Sequence, residues 1–353
     1  MQERFGVLSD GRAVEQYTLD NGTISCGILS YGAALRSLNV RDAFGTKTDV
    51  VTGFDTIEDY VRHTNYMGAV IGRCANRIRN GGLPIGDRGY RLTQNENGHH
   101  LHGGEHGFDK KLWNAVRHTA TELTLTLISP NGEEGYPGTL EVTVTYRIEG
   151  AAFCIDYTAW SDADTAVNLT HHAYWNLNGG KTVEGHSVRL CSDRFAPTDA
   201  HGIPTGELCS VAGTDFDFRT ARPLAPALAS DHPQIRKARG IDHSFWIEGE
   251  CGTLRLAAEV TGSRGIGMRM FTTEPCVQFY TGNFLQGCPL GKGGAVYKDH
   301  GAFCLEAQHM PNAPNLPQFS PILLRAGETY RQTTEYRFFC TNGEEQPTAH
   351  GFV

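Results

Sequence analysis

From Leu123 to Leu127, and again from Leu140 to Ile148, every second side chain is apolar. Those between are polar: Thr124 and Thr126 in the first run, Glu141, Thr143, Thr145 and Arg147 in the second. A period of two marks a strand with one buried and one wet face, because successive side chains of an extended chain point to opposite sides. Shorter segments of the same character follow at Phe153 to Trp160, Leu254 to Val260, Ile266 to Phe271, Cys276 to Thr281, Phe303 to Ala307 and Thr333 to Phe339. Forty-two glycines and fifteen prolines punctuate the chain, as in Asp20-Asn21-Gly22, Pro130-Asn131-Gly132 and Tyr136-Pro137-Gly138, where hairpins call for positive or fixed φ. The best helix candidate, Asp55 to Arg62, is only about two turns long. Strands do not alternate with long helices, which disfavours a parallel α/β sheet. The expected fold is therefore all-β, a large antiparallel β-sandwich with few short helices.

A chain of 353 residues, 39% of them hydrophobic, buries a large core in one domain or two,. The breaks at Pro223 to Pro233 and Gly287 to Gly294 have the same strand pattern on both sides. They read as long surface loops, so we expect one domain over residues 1–353. The formal charge of -8 is spread out and forms no basic stripe, which argues against a nucleic-acid partner. No apolar run approaches the length that crosses a bilayer, and Met1 to Asp10 is unlike a signal peptide, so a cytoplasmic location with no membrane partner is expected. The ten cysteines sit singly, without a Cys-x-x-Cys pair, and are expected as reduced, mostly buried thiols.

Three clusters stand out. In Asn97-Gly98-His99-His100-Leu101-His102-Gly103-Gly104, His100 and His102 would share one strand face before a flexible turn. That is the start of a metal site if further ligands converge, and otherwise a polar edge. In Asn168-Leu169-Thr170-His171-His172-Ala173-Tyr174-Trp175-Asn176-Leu177, the adjacent histidines must point to opposite sides, so only one can face a given cleft. Such a histidine near Tyr174 and Trp175 suits a general acid in a sugar site, or else is a hydrogen-bonded structural group. In Phe303-Cys304-Leu305-Glu306-Ala307-Gln308, a carboxylate stands inside an apolar strand, either facing solvent or held in a cleft. Gln278 and Asp242 pose the same choice. Gly287 to Gly293 fails the phosphate-loop spacing, and Glu133-Glu134 reads as a solvated turn rather than a catalytic dyad,.

Taken together and in order, several motifs closely resemble the galactose mutarotases, the aldose 1-epimerase family. They are Gly72-Arg73-Cys74-Ala75-Asn76-Arg77-Ile78, Leu101-His102-Gly103-Gly104 with Gly107-Phe108-Asp109, Glu134-Gly135-Tyr136-Pro137-Gly138, Asn168-Leu169-Thr170-x-His172, Gln278-Phe279-Tyr280-Thr281-Gly282-Asn283 and Cys304-Leu305-Glu306. The resemblance extends to Pro321 through Glu328, essentially the whole chain. It implies a single antiparallel supersandwich with an open sugar cleft on a concave sheet face. It further implies Glu306 as general base and His172 as general acid, with Asn76, Arg77, His102, Asp242 and Gln278 at sugar-binding positions and Tyr174 beside the acid. The implied reaction interconverts the α and β anomers of free hexoses such as galactose and glucose, with no metal and no cofactor.

Opening a hemiacetal means taking a proton from the anomeric hydroxyl while giving one to the ring oxygen, so two groups of different protonation state must flank one carbon. From reference pKa values of about 4.3 and 6.5, an ionised Glu306 and a protonated His172 are expected to coexist below neutrality. The sequence departs from the family at His171, Ala173 and Trp175, which we expect to touch the cleft wall and to bear on sugar preference, although the orientation of His172 argues that His171 itself faces away. Two alternatives remain from the same residues. One is a hexose-phosphate epimerase or non-catalytic sugar-binding protein on this scaffold. The other is a cupin-like metal enzyme using His100, His102, Glu105 and a later histidine.

Overall fold

The computed structural model describes residues 1–63, 65–180 and 182–341. Its largest element is a nine-stranded antiparallel sheet. In spatial order this sheet runs Asn114–His118, Glu122–Ser129, Leu140–Glu149, Ala152–Ser161, Thr329–Cys340, Ile266–Thr272, Arg255–Thr261, Ser187–Leu190 and Arg222–Pro223. The alternation seen in the sequence is the alternation of its faces. Leu140, Val142, Val144, Tyr146 and Ile148 are buried, while Glu141 across from Trp160 points outward. Each such buried apolar side chain contributes about 1.5–3 kcal/mol. Gly132 and Gly138 take positive φ (86° and 74°) at the turns where the sequence places them.

A second, five-stranded sheet packs over this core. It is ordered Cys209–Ser210, Arg194–Phe195, Asp242–Trp246, Cys276–Tyr280 and Cys304–Gln308. One of its faces, with Phe245, Val277, Phe279, Leu305 and Ala307, joins the same hydrophobic cluster as Leu125, Val144, Ile155 and Met270. A third sheet, also five-stranded, is formed by the first five strands between Gln2 and Asp49. Several two-stranded ribbons complete the architecture, among them His100–Leu101 with Arg77–Ile78 and Thr170–His171 with Val70–Ile71.

The expected first helix is Ile57–Arg62 rather than Asp55 onward, because Thr56 is its N-cap and accepts from the Asp59 N–H,. The stretch Pro223 to Pro233, expected as loop, holds the helix Ala225–Leu228 and the start of Pro233–Ala238. Proline stands in the first turn of each, where its missing N–H costs nothing. Buried Leu224, Ala227 and Ile235 tie both to the core. The loop from Gly287 to Gly294 is pinned by Lys292, whose Nζ donates to Asp49 Oδ2 at 2.6 Å and to the Arg36 and Val51 carbonyls. All ten cysteines are unpaired. Only Cys26, Cys74, Cys154, Cys276 and Cys304 are buried, fewer than expected. Among the described residues no helix is long and apolar enough to cross a membrane.

Candidate active site

The free face of the second sheet forms a cleft floor. Cross-strand register aligns Ser244, Gln278 and Glu306 in one row, and Asp242, Tyr280 and Cys304 in the next. The alternation that sends Leu305 and Ala307 into the main core turns Cys304 and Glu306 to the other face, where Glu306 lines the cleft and Cys304 is buried beside it,. Gln278 is held at both ends of its amide, accepting from Ser244 Oγ at 2.5 Å and donating to Asp242 Oδ1 at 2.6 Å. Asp242 lies opposite Arg77. Burial raises the pKa of Asp242, and Arg77 opposes that rise. Arg77 forms a two-pronged ion pair with Glu96, at 3.0 and 3.1 Å. Burial works against its charge, but the bonds to Glu96 and the field of Asp242 hold its pKa up,.

His172 comes from the segment that runs alongside the Glu306 strand. Trp175 and Phe303 form an antiparallel bridge with two backbone hydrogen bonds. Continuing that register places His172 across from Glu306, and the His172 Nε2 lies 3.7 Å from Glu306 Oε1. Both side chains are buried, and Glu306 Oε2 has no protein partner. Burial pushes Glu306 well above the usual carboxylate range and His172 down to about 4. The expectation of a carboxylate beside an imidazolium is therefore corrected: removal from water favours the neutral form of each. Tyr174, as expected, packs beside His172, with ring centroids 4.9 Å apart.

His102 completes the floor, and its geometry also departs from expectation. It takes a positive φ of 49°, which ends the strand at Leu101, so His100 and His102 do not share a face. His100 instead turns inward, with Nδ1 at 2.7 Å from the Thr93 carbonyl and Nε2 at 2.7 Å from the Tyr136 hydroxyl. That is a fully satisfied structural histidine. The Asn76 N–H donates to His102 Nδ1 at 3.1 Å, and the His102 N–H donates back to the Asn76 carbonyl. The turn that follows requires glycine, since a Cβ on Gly103 would sit 1.8 Å from the Gly72 carbonyl oxygen.

This lock bears on metal binding. His102, His172 and Glu306 bring one donor atom each within 4.8 Å of the others. Yet an Nδ1 that accepts from a backbone N–H leaves the proton of neutral His102 on Nε2, which makes Nε2 a donor rather than a ligand. The donor set does not fit a divalent cation. The other candidate set is not assembled, because both ring nitrogens of His100 are engaged and Glu105 is exposed.

The cleft has a volume of about 180 Å³ and is lined by Asn76, Arg77, His102, His172, Tyr174, Asp242, Tyr280 and Glu306 together with Asn65, Tyr66, Leu101 and Phe284. Gln278, expected at a sugar-binding position, is buried and not part of the lining, its amide taken up by Ser244 and Asp242. Tyr66 escaped the sequence reading. Its ring lies 4.5 Å from that of His102 and 5.8 Å from that of His172, covering both imidazoles. Its only local signal is an aromatic residue in a turn. His171, Ala173 and Trp175 do not touch the cleft wall. They fall on the opposite side of the strand, buried, with Ala173 and Trp175 in the main core and His171 edge-on to Tyr146. Glu133 and Glu134 are not simply solvated. Glu133 pairs with Lys111 and accepts from Ser129, while Glu134 accepts from the Glu105 and His106 N–H groups.

A supersandwich with a buried carboxylate and imidazole at the floor of a polar, monosaccharide-sized cleft defines a carbohydrate-active β-sandwich protein. The family model for aldose 1-epimerase matches residues 15–337, and the chain belongs to the aldose 1-epimerase family. The human galactose mutarotase is 42% identical over 337 residues, covering 95% of this chain and 97% of that one. The aldose 1-epimerase of Escherichia coli (strain K12) is 35% identical over 344 residues, covering 96% and 99%. Among solved structures, an aldose epimerase homologue from C. elegans superposes with a TM-score of 0.87 at 30% identity, covering 94% of this chain and all of that one. A galactose 1-epimerase from Lactobacillus acidophilus gives 0.84 at 28% identity, covering 96% and 98%.

Proposed function

We propose that this chain, as one domain, interconverts the α and β anomers of a free hexose such as galactose or glucose. Glu306 acts as the base and His172 as the acid. The observation that carries the reading is the 3.7 Å approach of His172 Nε2 to Glu306 Oε1 at the cleft floor. Glu306 takes the proton of the anomeric hydroxyl while His172 Nε2–H gives one to the ring oxygen, and the ring C1–O bond breaks. Glu306 ends with the hydroxyl proton and the ring oxygen with the one from His172, so the total charge is unchanged. The aldehyde turns about its C1–C2 bond, and reclosure on the other face reverses both transfers.

The directions of the two pKa shifts favour a neutral imidazole as the donor. If the acid were an imidazolium, it would be lost above about pH 4, before a Glu306 held well above the usual carboxylate range ionises. A neutral Nε2–H remains a hydrogen-bond donor throughout, and once its proton passes to the ring oxygen His172 is left as an imidazolate until reclosure returns it. His102 presents the same Nε2–H; Arg77, Asp242 and Asn76, which line the cleft, bind and orient hydroxyls in this reading, and Gln278 acts by holding Asp242,.

Arg77 is the one arginine or lysine lining the cleft among the described residues, and it is already engaged by Glu96. That counts against a phosphorylated substrate. The ten unpaired thiols support a reducing, cytosolic setting,. The test is the decay of optical rotation of fresh α-D-galactose and α-D-glucose without metal or nucleotide. Acceleration of either supports the reading; no acceleration of either removes it.

A further inference from the structure

We propose that Cys304 is a positioning residue for this reaction: its thiol donates to His172 Nδ1 and so keeps the ring proton on Nε2, aimed at Glu306 and the sugar. The proposal rests on the epimerase reading for its kinetic consequence, but not for its geometry. Cys304 Sγ lies 3.5 Å from His172 Nδ1, within reach of a sulfur hydrogen bond,. It stands two residues before Glu306 on the same strand face, so one strand supplies a partner for each nitrogen of the imidazole. The thiol is completely buried among Tyr174, Leu285, Ala302 and Ile71. There burial keeps it protonated, and Glu306 and Asp242 add to that effect.

The opposite arrangement, Nδ1–H donating to sulfur, would turn a bare Nε2 toward Glu306, 3.7 Å away, and leave it no hydrogen to offer the ring oxygen,. Nε2–H toward Glu306 with S–H toward Nδ1 satisfies both ends. It also repeats the device at His102, where the Asn76 N–H caps Nδ1. Both imidazoles of the floor then present N–H groups to the ligand without carrying charge. A thiol suits the role because it binds Nδ1 weakly and adds no charge beside Glu306.

The deciding measurement is the ¹⁵N spectrum of protein labelled at histidine, with the His172→Asn variant used to assign the His172 signals. The expected result, without sugar, is an unprotonated Nδ1 and a protonated Nε2; a protonated Nδ1 overturns the proposal. Because no substrate is present, this readout stands apart from the epimerase activity. In rotation assays, Cys304→Ala is expected to lower kcat about fivefold with KM unchanged, the scale of one weak hydrogen bond, and Cys304→Ser to restore it. An alanine variant with wild-type kcat, or a folded serine variant no better than alanine, also overturns it.

Discussion

Replacing Glu306 with glutamine should make the protein a much poorer catalyst and a more stable fold. The carboxylate is 2% exposed, its Oε2 has no partner, and burial holds its pKa well above the usual range. Its folded pKa lies above its unfolded one, so its favourable contribution is complete below about pH 4 and is lost as pH rises through the folded value. At pH 7, where the unfolded side chain is ionised, the buried carboxyl therefore weighs against folding,. An uncharged amide of the same shape should recover about 1–3 kcal/mol. For a chain of this size each kcal/mol raises Tm by about 2–4 °C. Activity moves the other way, because a general base contributes about 10²–10⁴ in rate. His172→Asn should cost a similar factor. Since the two groups act in one transfer, the double variant should fall little below the worse single one, rather than to the product of both losses. Polarimetry on fresh α-D-galactose, paired with thermal melts at pH 7, measures all of this. A folded Glu306→Gln variant that keeps a tenth of wild-type kcat, or two losses that multiply, would refute the acid–base assignment. A lowered Tm would refute the electrostatic argument.

Asp242→Ala frees the Gln278 amide and removes the carboxylate opposite Arg77; KM should rise about tenfold or more with a smaller change in kcat, as initial rates across sugar concentration will tell. His171 is buried without a partner and pushed down to about 3 by burial, so the unfolded chain takes up its proton first. The stability it supports is intact above about pH 6.5 and falls as pH drops toward 3, by about 2 kcal/mol at pH 5. His171→Asn should flatten the fall of Tm between pH 7 and 5, and an unchanged slope would count against this origin. Exhaustive chelation should leave the rate of rotation unchanged, because His102 presents a donor hydrogen instead of a ligand lone pair; loss of activity restored by a divalent cation would revive the metal reading.

The long strands were legible because side-chain alternation survives wherever a sheet has one wet face. Leu140 to Ile148 needed nothing more than its own pattern. Strands buried on both faces do not show which side chain faces where: Cys304–Gln308 is marked as a strand by its apolar run, but it is buried at every position, so the run does not say which way Glu306 points. The carboxylate proposed as the base stands out only through the family resemblance, since a lone glutamate in an apolar run is more often turned to solvent. Ala225–Leu228 and Pro233–Ala238 were hidden because proline reads as a break from one side and as a first helical turn from the other,. His102 was assigned to the wrong face because the spacing argument assumes an extended chain, whereas its φ is positive. Tyr66 carries no local mark of function, and only the fold brings its ring over the two imidazoles.

The placement of His171, Ala173 and Trp175 changes where sugar preference must be sought. The backbone register that joins Trp175 to Phe303 is what sets His172 against Glu306. Within the segment, His172 and Tyr174 face the cleft, and the three residues that depart from the family face the core. Substitutions on that buried side change packing and acid stability while leaving the sugar's contacts in place. The side chains that can tell aldoses apart are then those lining the cleft itself, among them Arg77 and Asp242 on the floor and Asn65, Tyr66 and Phe284 from the loops. A one-residue slip of this register would exchange the two sets, sending His171 to Glu306 and the acid into the core. Selection on the catalytic pair is therefore also selection on the alternation of the strands that carry it.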